Sequence, residues 1–199
     1  MSHTHADGQP QATSEEQLRR VTIGAVTPLN GPITLADYDP AWPEQFALEA
    51  ARIRRALGDR ALLVEHVGST SVPGLIAKPI IDILLVVADS ADEPAYVPAL
   101  EAAGYVLRVR EPEWHEHRLF KSSTSALNLH VFPAGSEEVE RVLLFRDWLR
   151  AHPADRELYA RTKRELAQQH WQYTQHYADA KSEVVEALIG QARAGIPCP

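Results

Sequence analysis

The chain has 199 residues, 45% hydrophobic and 24% charged, with a formal net charge of −7. A chain of this length buries a core of its own, hiding about 70% of the surface it would expose unfolded. No apolar run reaches the roughly 18 residues that a membrane helix needs. The acidic balance excludes a general nucleic-acid-binding surface, so an anionic ligand requires a local basic pocket. The single cysteine, Cys198, excludes an internal disulfide and a cysteine-based metal site. The amino terminus lacks the apolar stretch of a signal peptide, and the expected compartment is the reducing cytoplasm.

Residues 1–30 are rich in Ser, Thr, Gly, Gln and His and poor in large apolar groups, which predicts a mobile tail ahead of one domain over residues 31–195. Pro40 and Pro43 precede Phe46, Ala47, Ala50, Ile53 and Leu57 at helical spacing, with Gly58 as the stop. Ala61 to Val67 reads as a strand ending in Gly68-Ser69, and the apolar run Pro79 to Val87 as a central strand covered on both faces. Glu93 to Ala103 reads as a helix. Tyr105 to Val109, His117 to Lys121 and Leu127 to Phe132 read as three more strands. After Gly135 the period changes, and helices are expected over Glu137–Ala151, Pro153–His170 and Gln175–Ala194. Strands followed by a helical bundle predict an α+β fold.

Two features of the strand region carry chemistry. Gly68-Ser69-Thr70-Ser71 offers a permissive glycine, successive backbone N–H groups and three hydroxyls, the parts of a phosphate cradle and equally of a plain turn. Asp82 interrupts the apolar strand Ile80-Ile81-Asp82-Ile83-Leu84-Leu85. A buried carboxylate costs several kcal/mol unless paired, so Asp82 needs a metal, a lysine such as Lys78, or hydrogen-bond donors. In Leu127–Phe132, alternation puts Asn128, His130 and Phe132 on one face. That is the wall of a cleft, or the setting of a hydrogen-bonded core histidine. His66 braces the loop or lines the site, and His115 and His117 are expected in solvent.

Cations on the apolar side of helices are unusual unless they reach back to water. Arg146 falls on the stripe of the first late helix, Lys163 at the edge of the second, and Lys181 in the middle of Tyr177, Val184, Val185 and Leu188. Their convergence over the sheet would make an anion clamp, with Arg118 of a middle strand as a further member.

The stretch EHVGSTSVPGLIAKPIIDILL, with DYDPAWPEQF before it and NLHVF, LLFRDWLRAHP, YARTKRELA and the AK of YADAKSEVVEALI after it, resembles the GrpB family, which is similar to nucleotidyltransferases. The resemblance runs from about Ile33 to Ala192. It implies a nucleotidyltransferase-like mixed sheet with a C-terminal helical bundle. It also implies Gly68 and Ser69 as the phosphate turn and Asp82 as a metal-holding carboxylate; the residues themselves add Thr70 to the turn and Lys78, Arg118, Arg146, Lys163 and Lys181 as the expected cations around the nucleotide. The usual pattern has a second carboxylate two residues away and a third on a neighbouring strand. Here Ile80 and Leu84 flank Asp82, and the later strand offers His130, leaving a one-ion site of Asp82 and His130, with His130 as ligand or general base.

The expected function is an enzyme that binds a nucleoside triphosphate, ATP foremost, with Mg2+ and transfers a nucleotidyl group to a small-molecule acceptor, with no nucleic acid or membrane as partner. Two alternatives share the scaffold: an ATP-dependent ligase forming an amide bond, and a non-catalytic module binding a nucleotide or coenzyme A.

Overall fold

The computed structural model describes residues 12–195. Its five strands are β1 (Leu63–Val67), β2 (Ile81–Val87), β3 (Tyr105–Glu111), β4 (His117–Ser122) and β5 (Leu127–Pro133), and they form one sheet in the order β1-β2-β5-β4-β3. Only the β2–β5 pair is parallel; its neighbours are antiparallel, which makes the sheet mixed. The helices are α1 (Glu15–Val21), α2 (Trp42–Leu57), α3 (Val97–Ala102), α4 (Glu137–Ala151), α5 (Pro153–Ala167), α6 (Thr174–Asp179) and α7 (Ser182–Ala194). The architecture is the α+β one that the change of period predicts.

Alternation along the strands sorts the side chains into two layers. Ile83, Leu85, Leu129, Val131 and Phe120 face α2 and α3, where they meet Ile53, Leu57 and Leu100 in the main core. On the opposite face Val67, Leu84 and Phe132 pack against Val139, Val142 and Leu143 of α4. The same face carries Asp82, Asn128, His130 and Lys121, and the helical layer stands off from it there. The site lies in that gap.

Part of the stretch expected to be a mobile tail is built into the fold. Residues 1–11 lie outside the described residues, but Ser14 and Gln17 form a reciprocal capping box that opens α1. Leu18 is buried, Ile23 N donates to Arg108 O at 2.8 Å, and Thr13 N donates to Asp179 Oδ2 at 2.7 Å. The single last helix expected from the apolar spacing is two helices. Lys181 N turns back to Ala178 O at 3.2 Å, and the chain breaks between α6 and α7 at that lysine.

Candidate functional site

The parallel register places Asp82 opposite Asn128 and Leu84 opposite His130. Across the next pair Asn128 meets Lys121, and His130 meets Leu119. The sheet itself therefore assembles a row Asp82–Asn128–Lys121, with His130 two positions further along β5. Asn128 Nδ2 donates to Asp82 Oδ1 at 2.6 Å, and Lys121 Nζ donates to Asn128 Oδ1. His130 Nε2 stands 3.8 Å from Asp82 Oδ1, an ion-pair separation too long for a hydrogen bond. Burial would raise the Asp82 carboxyl, but His130, Asn128 and the Lys78 charge outweigh it and hold it below the ordinary carboxylate value.

The chain arrives from β1 through Gly68, at φ 67° and ψ −173°, into one turn of 3-10 helix, Ser69–Ser71. Gly68 is dictated by that geometry, which a side chain rarely adopts, and by proximity: a Cβ there would sit 2.9 Å from Asp82 Cβ and 3.0 Å from its Cγ. Of the three hydroxyls, two are spent on the loop itself. Thr70 Oγ1 is 3.0 Å from His66 Nε2 and donates to Ile80 O at 3.3 Å, and Ser71 Oγ donates to Gly68 O at 2.6 Å. Ser69 Oγ accepts from Lys163 Nζ at 2.7 Å. His66 braces the loop, stacked on Phe46 at 4.8 Å, and burial lowers it to about 4, so it stays neutral.

A cavity of about 490 Å3 opens over these groups, within the range of small-molecule sites. Gly68, Ser69, Thr70, Lys78, Asp82, Lys121, Asn128, His130, Lys163 and Lys181 line it. Lys163, buried in α5, also donates to Ile76 O. Lys181 lies 4.5 Å and Lys78 5.7 Å from the ring centre of Tyr177, whose buried hydroxyl has no hydrogen-bond partner among the described residues. Burial and then the charge of Lys181 push Lys78 down to about 8, and burial pushes Lys181 to about 8. Burial, then the charges of Lys181 and Lys78, put Lys163 well below the usual lysine value. Another cavity, of about 500 Å3, lies between α2 and α3, but Arg52, Arg55 and alanines line it, with no carboxylate or imidazole.

Two expected members of the anion clamp stand elsewhere. Arg118 alternates with Leu119, so it points to the α2–α3 face, where Nε donates to Glu93 Oε1 at 2.7 Å. Arg146 stays close to the loop but on its outer side: Nη1 donates to Glu65 Oε2 at 2.7 Å and to His66 O at 3.1 Å, and Nε to Asp147 Oδ1 at 2.8 Å. Its apolar-stripe position braces the loop backbone. Arg150, not among the expected residues, does likewise through two bonds to Ser71 O.

His117 departs from the solvated position expected for it. It is buried, not solvated; its Nδ1 is 2.7 Å from Glu111 Oε2 and its Nε2 is 3.1 Å from His130 Nδ1. Lys121 and Glu111 are further members that the expected set lacks, although the alternation of β4 puts Lys121 on the site face. Among the described residues no group of three or more His, Cys, Asp or Glu side chains is placed to hold a metal ion. No helix there is long and apolar enough to cross a membrane.

The arrangement defines an α+β protein with a cation-rich cavity built around Asp82 and His130, with Glu138 of α4 also in its wall. The sequence profile of the GrpB protein family matches residues 32–191, and the chain belongs to that family. A UPF0157 protein of Halalkalibacterium halodurans is 60% identical over 181 residues, 91% of this chain and 93% of that protein. A dephospho-CoA kinase of Mycolicibacterium paratuberculosis is 34% identical over 164 residues, 69% of this chain and 40% of that protein. Among solved structures, the conserved protein GrpB from Enterococcus faecalis superposes with a TM-score of 0.72 at 33% identity, over 81% of this chain and 98% of that one. The Cid1 poly(U) polymerase bound to MgATP matches at a TM-score of 0.44 and 9% identity, over 64% of this chain and 45% of that one.

Proposed function

We propose that the protein binds a nucleoside triphosphate, ATP being the expected one, together with Mg2+, and transfers its nucleotidyl group to a small-molecule acceptor. One observation carries this reading: Lys78, Lys163 and Lys181 crowd a single cavity beside the Gly68–Ser71 turn. Burial depresses all three, the charge of Lys181 depresses Lys78 and Lys163 further, and a polyphosphate is the partner that would relieve them.

Asp82 suits Mg2+, which is commonly held by one or two carboxylates together with substrate phosphates and water. His130 is a softer donor, better matched to proton transfer than to Mg2+. When bound, the ion would neutralise charge developing on the phosphate oxygens. Ser69 and the three lysines would hold the triphosphate. The acceptor oxygen would attack the α-phosphorus as its proton passes to His130 Nε2. The bond to the β-phosphate oxygen would break, and pyrophosphate would leave with charge shared among the lysines.

The matched segment of the dephospho-CoA kinase motivates a coenzyme A-type ligand as acceptor or alternative occupant. Melting-shift measurements with nucleotides, coenzyme A and Mg2+ test binding, since a ligand of the folded state raises stability. Pyrophosphate release tests turnover. Asp82→Asn is expected to reduce release at least about 100-fold, the scale of losing a group that stabilises the transition state. Amide formation in the product supports the ligase alternative, and binding without release supports the binding module. A screen in which no nucleotide or coenzyme A species raises the melting temperature overturns the reading.

A further inference from the structure

Behind His130 runs a buried chain of groups that the transfer chemistry leaves unused. Glu111 ends β3, His117 begins β4, and the two are register partners. Each is 4% exposed. His117 Nδ1 is 2.7 Å from Glu111 Oε2, and its Nε2 is 3.1 Å from His130 Nδ1. The two imidazoles stack at 5.2 Å and 19°. Phe132 stacks on His117 at 4.7 Å, and Trp114 meets it edge-on at 5.3 Å. The far end, His130 Nε2, is left facing Asp82 at 3.8 Å.

Hydrogen-bond bookkeeping allows one arrangement when Glu111 is ionised and both rings are neutral. An ionised carboxylate only accepts, so His117 carries its proton on Nδ1. His117 Nε2 is then a lone pair, and it accepts from His130 Nδ1–H. That leaves a lone pair on His130 Nε2, turned to the cavity. At 3.8 Å from Asp82 Oδ1 that nitrogen makes no hydrogen bond to the carboxylate, and a proton taken up there would pair with it. A buried glutamate is costly to keep, and among the described residues its side-chain hydrogen-bond partner is the histidine that fixes His130.

We propose that Glu111 and His117 are positioning residues that fix His130 in its Nδ1–H tautomer, presenting a bare Nε2 to the acceptor. The proposal rests on the reading of His130 as general base. Orientation of an imidazole through its second nitrogen is a recurrent way of setting which tautomer acts.

The test is the tautomer itself, read from long-range 1H–15N spectra of the histidine rings in the full 15N-labelled chain. Spectra are taken at pH 8, above the value of about 7 to which burial pushes Glu111. Wild-type His130 is expected to show a bare Nε2 and a protonated Nδ1. His117→Phe keeps the aromatic stack but removes the acceptor, so His130 is expected to shift to Nε2–H. Its kcat should fall about 10- to 100-fold with KM for ATP changed less than about twofold. His117→Gln, whose amide oxygen reaches the position of Nε2, should restore Nδ1–H on His130 and part of kcat. A wild-type His130 protonated on Nε2 overturns the proposal, as does a His117→Phe spectrum with the tautomer unchanged. Absence of pyrophosphate release in the wild type would overturn the transfer reading instead, and the spectra would still decide the tautomer.

Discussion

Gly68→Ala isolates the contact on which the site depends, the approach of the β1 turn to Asp82. Two costs add. A side chain at φ 67° and ψ −173° enters a region that is essentially glycine-only, at about 1–3 kcal/mol. The new Cβ would meet Asp82 Cβ at 2.9 Å and Cγ at 3.0 Å, and Asp82 cannot retreat without giving up its 2.6 Å bond from Asn128. Forcing one extra carbon into a packed site costs about another 1–3 kcal/mol. The expected loss is about 2–6 kcal/mol, read as a lower urea midpoint with the slope unchanged. The folded fraction should also lose its ATP-dependent melting shift, because Asp82 and Ser69 no longer hold their spacing. A destabilisation below about 1 kcal/mol would refute the claim that Gly68 is dictated by Asp82.

The remaining predictions probe the charges. Lys78 and Lys181 lie at about 8 when folded, against about 10.4 in an unfolded chain. Below pH 8 both states carry these protons and the folded state bears the full desolvation cost. Above it the folded state sheds protons that the unfolded state keeps, so their contribution to stability grows as pH rises from 8 towards 10. The ATP-induced melting shift should move the other way and shrink between pH 7.5 and 9.5, when the phosphates lose their cations; a shift constant across that range would count against these lysines as the phosphate clamp. Lys163→Met should weaken ATP binding about 10- to 100-fold, the worth of one charge-assisted contact, and equal titration curves for variant and wild type would exclude it. Arg118→Met should cost about 1–3 kcal/mol in urea denaturation, because Glu93 keeps its bonds from Arg110 at 2.6 Å. It should leave the ATP shift intact, and loss of that shift would return Arg118 to the site.

Local chemistry in the sequence determined much of this protein. The strand periods, the turn at Gly68, and the break from strand to helix at Gly135 are set by residues a few positions apart, so the α+β order and most element bounds were readable. Asp82 was readable for a related reason: a carboxylate inside an apolar strand demands partners wherever the strand ends up. Asn128, Lys121 and His130 became those neighbours only through the β2–β5–β4 register, a long-range pairing that no local pattern encodes. The same register decided against Arg118, since a one-residue step along a strand reverses the face. It also took His117 out of solvent and set it between Glu111 and His130. Helical stripes point Arg146 and Lys163 to the core side, whereas Lys181 sits at the break between α6 and α7, and a stripe gives direction without distance. Lys163 and Lys181 reach the cavity because the helices pack over it, while Arg146, on α4, ends on the outer side of the same loop. The tail shows the limit from the other side: its polar composition hid a capping box, and α1 is held by bonds to β3 and to Asp179, partners up to 166 positions away in the chain.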